Sequence, residues 1–170
     1  MSDNHALDPP SPVGEIDHEK QLSLDIGQLF LSNEYSDVVI NVNDTSFPAH
    51  KVVLASRSEY FRAMLYGGMR ESSSGEVNLA EIDSVEAFKH LLQYIYTGHM
   101  DVCLSSMKEE MILEVLGLSH KYGFLDLEES ISDYVRQALS IENVCLFYEA
   151  ANLYSLQNLA KDCFTYIGKL

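Results

Sequence analysis

Basic residues are scarce in this 170-residue chain, where 11 Lys and Arg stand against 26 Asp and Glu. The formal net charge is −15. Nucleic-acid binding depends on basic contacts to phosphates, so this deficit argues against a nucleic-acid partner. It argues equally against an anionic membrane surface. The charge fits either a soluble acidic surface or an attraction for a basic partner.

Cysteine and long apolar runs are scarce as well. Cys103, Cys145 and Cys163 are odd in number and widely spaced, which fits neither a disulfide framework nor a Cys-x-x-Cys metal site. We expect them to be small buried side chains in a reducing compartment. No apolar run approaches the roughly 18 residues that span a bilayer, and no signal segment opens the chain. We therefore expect a cytosolic or nuclear protein, and of the two we assign the cytoplasm.

Motifs of enzyme active sites are missing too. The chain has no Gly-x-Ser-x-Gly, Gly-x-x-x-x-Gly-Lys or His-Glu-x-x-His sequence, and its six histidines never pair at metal-binding spacing. The acidic pairs Glu109-Glu110 and Glu128-Glu129 fall in first helical turns, where they favour the helix dipole more than acid–base chemistry. His50 is expected to be a satisfied structural group. We predict a protein that is no enzyme and has no cofactor.

The first part of the chain combines a polar lead-in, a helix and a hairpin. Residues 1–13 are polar and proline-containing, so we expect them to be disordered. A helical repeat of apolar residues follows, at Leu22, Ile26, Leu29 and Phe30. Residues 37–42 alternate as a strand, and Asn43-Asp44 is a tight-turn pair from which residues 45–47 return. Pro48 is expected to end the second strand.

Short elements follow the hairpin. We expect two helices, at about residues 50–56 and 58–66, and Gly67-Gly68 should stop the second of them. Residues 76–79 form a candidate strand.

Capping residues mark the next two helices. Ser84 is expected to cap a helix that Gly98 ends. Ser106-x-x-Glu109 has the spacing of a capping box, and the helix that it opens should end at Gly123.

The last third of the chain is predicted to be helical. An apolar stripe across residues 127–138 predicts one helix, and Ser140 looks like the cap of another. The final stripe consists of Leu156, Leu159, Ala160, Cys163, Phe164 and Ile167. So much apolar surface usually needs further helices to cover it, so we expect that the chain is cut from a longer protein or ends in a partner's groove.

Several motifs, in this order, resemble the BTB (POZ) domain. They are Ser36-Asp37-Val38, residues 47–61, Ala87-Phe88, residues 94–98 and residues 120–123. The resemblance implies an α+β fold in which helices flank a small β-sheet.

A second resemblance covers the end of the chain, where residues 139–168 are similar to the first helical pair of a BACK domain, the 3-box. The two resemblances together divide the chain into a lead-in at 1–13, a BTB/POZ domain at 14–137 and the N-terminal part of a BACK domain at 138–170.

The resemblance also implies a function, because BTB-BACK proteins typically serve as substrate adaptors of cullin-3 RING ubiquitin ligases. It implies a non-catalytic adaptor that binds the N-terminal domain of cullin-3 and recruits an unknown substrate through regions outside this chain. Met69, Arg70 and Glu71 match the family's hydrophobic-x-acidic pattern for cullin binding. Met69 could fill an apolar pocket and Glu71 could accept backbone N–H bonds, or Met69 could pack on its own domain and leave Glu71 solvated. Tyr96 resembles the family's cullin-facing tyrosine, with a core role as the alternative.

The family usually forms a symmetric dimer, and the predicted first helix matches its dimer element. The residues concerned are Leu22, Ile26, Leu29 and Phe30. An ordinary core helix would have the same stripe. Asp37 and His50 match positions near this interface or under it, and a buried Asp37 would need Lys51 or Arg57 as a partner.

One rival function stays open beside the adaptor. The chain could be a dimerising module of a transcription repressor or scaffold that never meets a cullin. The BACK-like segment and Met69-Arg70-Glu71 favour the adaptor, and a basic DNA-binding tail, which would favour the rival, is missing from this chain.

Overall fold

The computed structural model describes residues 16–68, 75–100 and 103–169. The described strands are β1 (Val38–Val42), β2 (Thr45–Ala49) and β3 (Glu76–Asn78). The described helices are α1 (Glu19–Gly27), α2 (Lys51–Arg57), α3 (Glu59–Tyr66), α4 (Val85–Thr97), α5 (Glu109–Tyr122), α6 (Leu125–Gln137), α7 (Val144–Leu153) and α8 (Gln157–Ile167). A 3₁₀ turn at Leu104–Ser106 precedes α5.

The predicted hairpin is confirmed. β1 and β2 are antiparallel, with Val42 opposite Thr45 next to the two-residue turn. Asn43 has a φ of 51°, a conformation that asparagine tolerates well. Its side-chain amide donates to the carbonyl of Ile82, 3.2 Å away, and so ties the hairpin to the segment before α4.

The prediction that Pro48 ends the second strand is wrong. β2 continues to Ala49, and Pro48 lies opposite Val39 in the ladder. The strand order is β2-β1-β3, so β2 is an edge strand, where a residue without an N–H is tolerated. The candidate strand at residues 76–79 is confirmed as β3, which pairs parallel to β1.

Three helix boundaries follow the predicted residues Ser84, Gly98 and Gly123, and a fourth has a cap that was not predicted, Ser58. The Oγ of Ser58 accepts from the amide of Phe61 at the start of α3, and the Oγ of Ser84 accepts from Ala87 at the start of α4. Gly98 follows α4 with a φ of 68° and Gly123 follows α5 with a φ of 76°. This left-handed conformation costs glycine little, which is why both helices end there.

Two other predicted caps are wrong. Ser106 does not cap α5, because its hydroxyl donates to the carbonyl of Cys103 within the 3₁₀ turn, at 2.7 Å. Ser140 does not cap α7, which begins at Val144. Instead, the backbone amide of Ser140 donates to Oδ1 of Asn143 (2.8 Å), and the amide of Asn143 donates to the Ser140 hydroxyl (3.3 Å), so the two residues close a turn ahead of the helix.

One apolar core joins the sheet to the helices. Its largest fully buried side chains include Ile40, Phe61, Phe88 and Tyr122. The rings of Phe61 and Tyr122 stack with centroids 5.0 Å apart and planes at 9°. The expectation of buried cysteines holds for Cys163 alone among the three, since Cys103 and Cys145 are exposed.

Helices α7 and α8 pack on each other, and α8 packs on α6. Nε of Arg136 on α6 lies 2.7 Å from Oδ2 of Asp162 on α8, an ion-pair distance at which the N–H is not aligned for a hydrogen bond. Leu153 and Phe164 are largely exposed on this pair. The expectation that further helices cover this face stays a prediction. Within the described ranges, no helix combines the length and the apolar character needed to cross a bilayer.

Candidate protein-interaction surfaces

The predicted cullin-binding residues Met69, Arg70 and Glu71 lie outside the described residues. The helix that leads to them, α3, ends at Tyr66, and Gly67-Gly68 separate the two. Tyr66 is 58% exposed, so an aromatic side chain already lies on the surface at this end of α3.

Tyr96 lies in the core with only 3% of its surface exposed. Its hydroxyl oxygen accepts from the backbone N–H of His50 at 3.0 Å and lies 2.8 Å from Nδ1 of that ring. Nε2 of His50 lies 2.7 Å from the carbonyl of Glu34. A carbonyl only accepts, so we assign the proton to Nε2, and Nδ1 then accepts from the Tyr96 hydroxyl. The geometry favours the core role of Tyr96, and its contact with a cullin stays a prediction.

The closed network around Tyr96 predicts a pH-dependent stability. Burial raises the pKa of Tyr96 from 10.0 to about 12, against the opposing effect of the hydrogen bond from His50. Because the folded-state pKa is the higher one, this contribution to stability is complete below pH 10 and is lost as the pH rises through about 12. Tyr96→Phe should therefore flatten the fall of the urea midpoint between pH 10 and 12.

Urea titrations of both proteins across that range measure the effect. At pH 8 the variant should be less stable than the native chain by about 1–3 kcal/mol, because the buried N–H of His50 loses its acceptor. Parallel pH profiles of the two proteins would contradict the assigned role of the hydroxyl.

The predicted dimer helix is shorter than its apolar repeat, because α1 ends at Gly27, and Leu29 and Phe30 lie in the turns that follow. The segment has an inner and an outer side. Ile26, Leu29 and Phe30 pack against the core of their own chain, and the Oγ of Ser23 donates to the carbonyl of Thr97 at the end of α4. Leu22 is 63% exposed. Three of the four predicted dimer residues thus have a role within one chain, and their place in a dimer stays a prediction.

A groove of about 610 Å³ runs between α1, α2 and the end of α4. Its apolar lining includes Leu22, Ile26, Val52, Val53 and Ile95. Val52 is 68% exposed. The sequence did not reveal this exposure, because Val52 stands beside Val53 and Leu54, which are both buried. An open groove of this kind can receive apolar side chains of another protein.

Asp37 is exposed and lies beside the groove's second helix. Its Oδ1 accepts from the backbone amide of Lys51, the first residue of α2, at 2.7 Å. A carboxylate at a helix N-terminus is favoured there by the free N–H groups and the dipole. Asp37 therefore has no need of the buried charge partner that a buried position would require, and Arg57 lies over the ring of Tyr94 instead.

In the ranges 16–68, 75–100 and 103–169, no three His, Cys, Asp or Glu residues are grouped so that they could hold a metal ion.

The family model of the BTB/POZ domain matches residues 26–139. BTB/POZ domain-containing protein 9 of Homo sapiens is 48% identical over 170 residues, which is 99% of this chain and 27% of that protein. The Drosophila melanogaster protein of the same name is 44% identical over 154 residues, 91% of this chain and 21% of its own length. Kelch-like protein 26 of Homo sapiens is 32% identical over 151 residues, 88% of this chain and 24% of that protein.

The chain spans about a quarter of the length of these relatives. The matched residues hold the small three-stranded sheet and the helices around it, as the predicted α+β fold requires. The predicted boundaries 14–137 and 138–170, and the BACK assignment of the second range, stay predictions. BTB/POZ domains are protein-interaction modules, and this chain belongs to the BTB/POZ domain family.

Proposed function

We propose that this chain is the dimerising, cullin-3-binding part of a cytoplasmic substrate adaptor for a cullin-RING ubiquitin ligase. The observation that carries the proposal is the position of Met69-Arg70-Glu71 in a BTB/POZ domain. α3 ends with an exposed Tyr66, and only two glycines separate that end from the motif. Met69 would fill an apolar pocket of the cullin, and Glu71 would accept from N–H groups at the start of a cullin helix.

The proposed dimer interface includes the groove beside α1. Leu22 and Val52 are exposed there next to apolar lining residues, and such surface is stabilised when a second copy covers it. A dimer would carry two substrate-binding arms and two cullin sites, which raises avidity without any new contact.

The helical pair α7–α8 would serve as the 3-box of a BACK domain that begins near residue 138. Its docking on the BTB/POZ domain supports this role. Arg136 contacts Asp162 across the junction, and the ring of Tyr154 packs against Gly117 of α5. The pair would therefore extend the cullin-facing surface as a fixed part of it. Substrate binding is assigned to regions outside this chain.

The rival function is a dimerising scaffold that binds no cullin. One observation favours it, since Tyr96, the residue that resembles the family's cullin-facing tyrosine, is 3% exposed and engaged with His50.

Calorimetry with the N-terminal domain of cullin-3 separates the two functions. The native chain should bind, and Met69→Ala/Glu71→Ala should weaken binding by about 100-fold or more, because two anchoring contacts are removed. Ser73→Ala, two residues after Glu71 in the sequence, is the matched control and should bind as the native chain does. Absence of native binding, or equal binding by the double variant, would overturn the adaptor function.

A further inference from the structure

We propose that a notch between two corners of the fold binds an acidic segment of a partner protein. The notch has a volume of about 340 Å³ and lies between the α2–α3 corner and the α5–α6 corner. Three basic side chains line it: Arg57, Arg62 and Lys121. We call it the cationic notch. It lies at the start of α3, whereas Met69-Arg70-Glu71 follow the end of that helix, so this inference is independent of the proposed cullin contact.

The cationic notch opposes the charge of the rest of the chain. Only 11 basic residues stand against 26 acidic ones, yet three of the 11 line this one opening. Among the residues that line it, Glu59 is the single carboxylate. The lining itself thus carries three basic side chains against one carboxylate, the opposite sign to the net charge of the whole chain, and this charge is complementary to an acidic segment.

Arg57 has its charged group over an aromatic ring. It is the last residue of α2 and is exposed, and its guanidinium carbon lies 5.5 Å from the ring centre of Tyr94. Within the described ranges no ion pair involves it. A guanidinium that lies over an aromatic ring keeps its in-plane N–H groups for an acceptor, and two parallel N–H groups match a carboxylate.

The other two basic residues each have an exposed carboxylate partner, and Nε of Arg62 also donates to the carbonyl of Ala55 at 3.1 Å, which holds that side chain at the opening. Arg62 pairs with Glu59, whose side chain is 82% exposed, and Lys121 pairs with Glu81, whose side chain is 57% exposed. Exposed ion pairs contribute about 0–1 kcal/mol, so a ligand carboxylate can replace either partner at little cost.

The walls of the cationic notch are fixed before any ligand arrives. The hydroxyl of Ser58, which is buried, donates to the carbonyl of Tyr122 at 2.7 Å and so joins the two corners. Behind this bond the ring of Tyr122 stacks on Phe61. A preformed site loses less conformational entropy on binding than one that must be ordered.

The lining also indicates the kind of segment that fits. Besides the basic residues it includes Tyr60 and Leu125, both exposed and apolar over most of their surface. The volume of about 340 Å³ suits a few side chains of such a segment. A short segment with carboxylates on either side of an aliphatic residue would place charge on the guanidiniums and its aliphatic side chain on Tyr60 or Leu125.

The test is an NMR titration of the ¹⁵N-labelled chain with the peptide acetyl-Glu-Glu-Leu-Glu-Glu-amide at low salt. The Nε–Hε signals of Arg57 and Arg62 and the amide signals of residues 57–62 and 121–125 should shift and saturate together. Arg57→Gln should weaken binding by about 10-fold, as loss of a charge-assisted contact does. Lys89→Gln removes the same charge from an exposed position on α4 and should leave binding unchanged.

Four results would overturn the proposal. The first is absence of saturable shifts with this peptide. The second is equal weakening by Arg57→Gln and Lys89→Gln, which would mark the attraction as general charge. The third is equal binding of the matched peptide in which glutamine replaces every glutamate. A site that takes inorganic phosphate but not the acidic peptide would likewise contradict it.

Discussion

Phe61→Ala is expected to lower the free energy of unfolding by about 3–5 kcal/mol. The side chain is fully buried, and its ring stacks on Tyr122 and meets the edge of Tyr60. Alanine would leave a cavity between α3 and α5, where Ser58 and Tyr122 already fix the spacing of the two elements. The walls therefore have little freedom to collapse, and the cost should fall in the upper part of that range.

Urea denaturation followed by circular dichroism measures this effect. Tyr66→Ala, at the end of the same helix, is the matched control, because its ring is more than half exposed. The control should change stability by less than about 0.5 kcal/mol. If both variants were destabilised equally, helix propensity and not packing would account for the loss, and the assigned core would be wrong.

Gly117→Val should destabilise the junction between the BTB/POZ domain and the helical pair α7–α8 by about 1–3 kcal/mol. A Cβ at Gly117 would lie 2.4 Å from Oη and 2.8 Å from Cζ of Tyr154, so the tyrosine ring must leave its position. The ring also lies beside His120, with centroids 5.9 Å apart. Its displacement would remove a contact between α5 and the residue that follows α7.

A double-mutant cycle isolates this contact. In a Tyr154→Ala background the valine has room, so Gly117→Val should cost less there by at least about 1 kcal/mol. Hydrogen exchange gives a second readout, in which Gly117→Val speeds the exchange of α7 amides and leaves those of β1 unchanged. Additive effects of the two substitutions would show that the ring and the glycine do not compete for space.

Local signals predicted much of the fold, because some elements depend on a few neighbouring residues. The Asn43-Asp44 turn, the Ser84 cap and the glycine stops at Gly98 and Gly123 all follow from the backbone preferences of single residues. The place of Pro48 within β2 could not be predicted from neighbouring residues, because only the strand order β2-β1-β3 shows that β2 is an edge strand.

At Ser106 and Ser140, a helix cap competes with a hydrogen bond inside the turn that precedes the helix. Ser106 and Ser140 both have the sequence of a cap, and each bonds within a preceding turn instead. The tight approach of Tyr154 to Gly117 joins positions far apart in the chain, so no local pattern could reveal it.

The interaction surfaces were predicted in part. The apolar repeat identified the first helix, but it could not show that Leu22 faces outward while Ile26 packs inward on α4. The cationic notch could not be predicted from the sequence, because Lys121 lies near Arg57 and Arg62 only in the folded chain.

Sedimentation equilibrium of the chain mixed with the N-terminal domain of cullin-3 reports dimerisation and cullin binding in one measurement. A dimeric adaptor should form a complex of two chains of 19.1 kDa with two cullin domains, and a dimer when the chain is alone. A chain that sediments alone as a monomer, or a mixture in which the two proteins sediment separately, would contradict the proposed function.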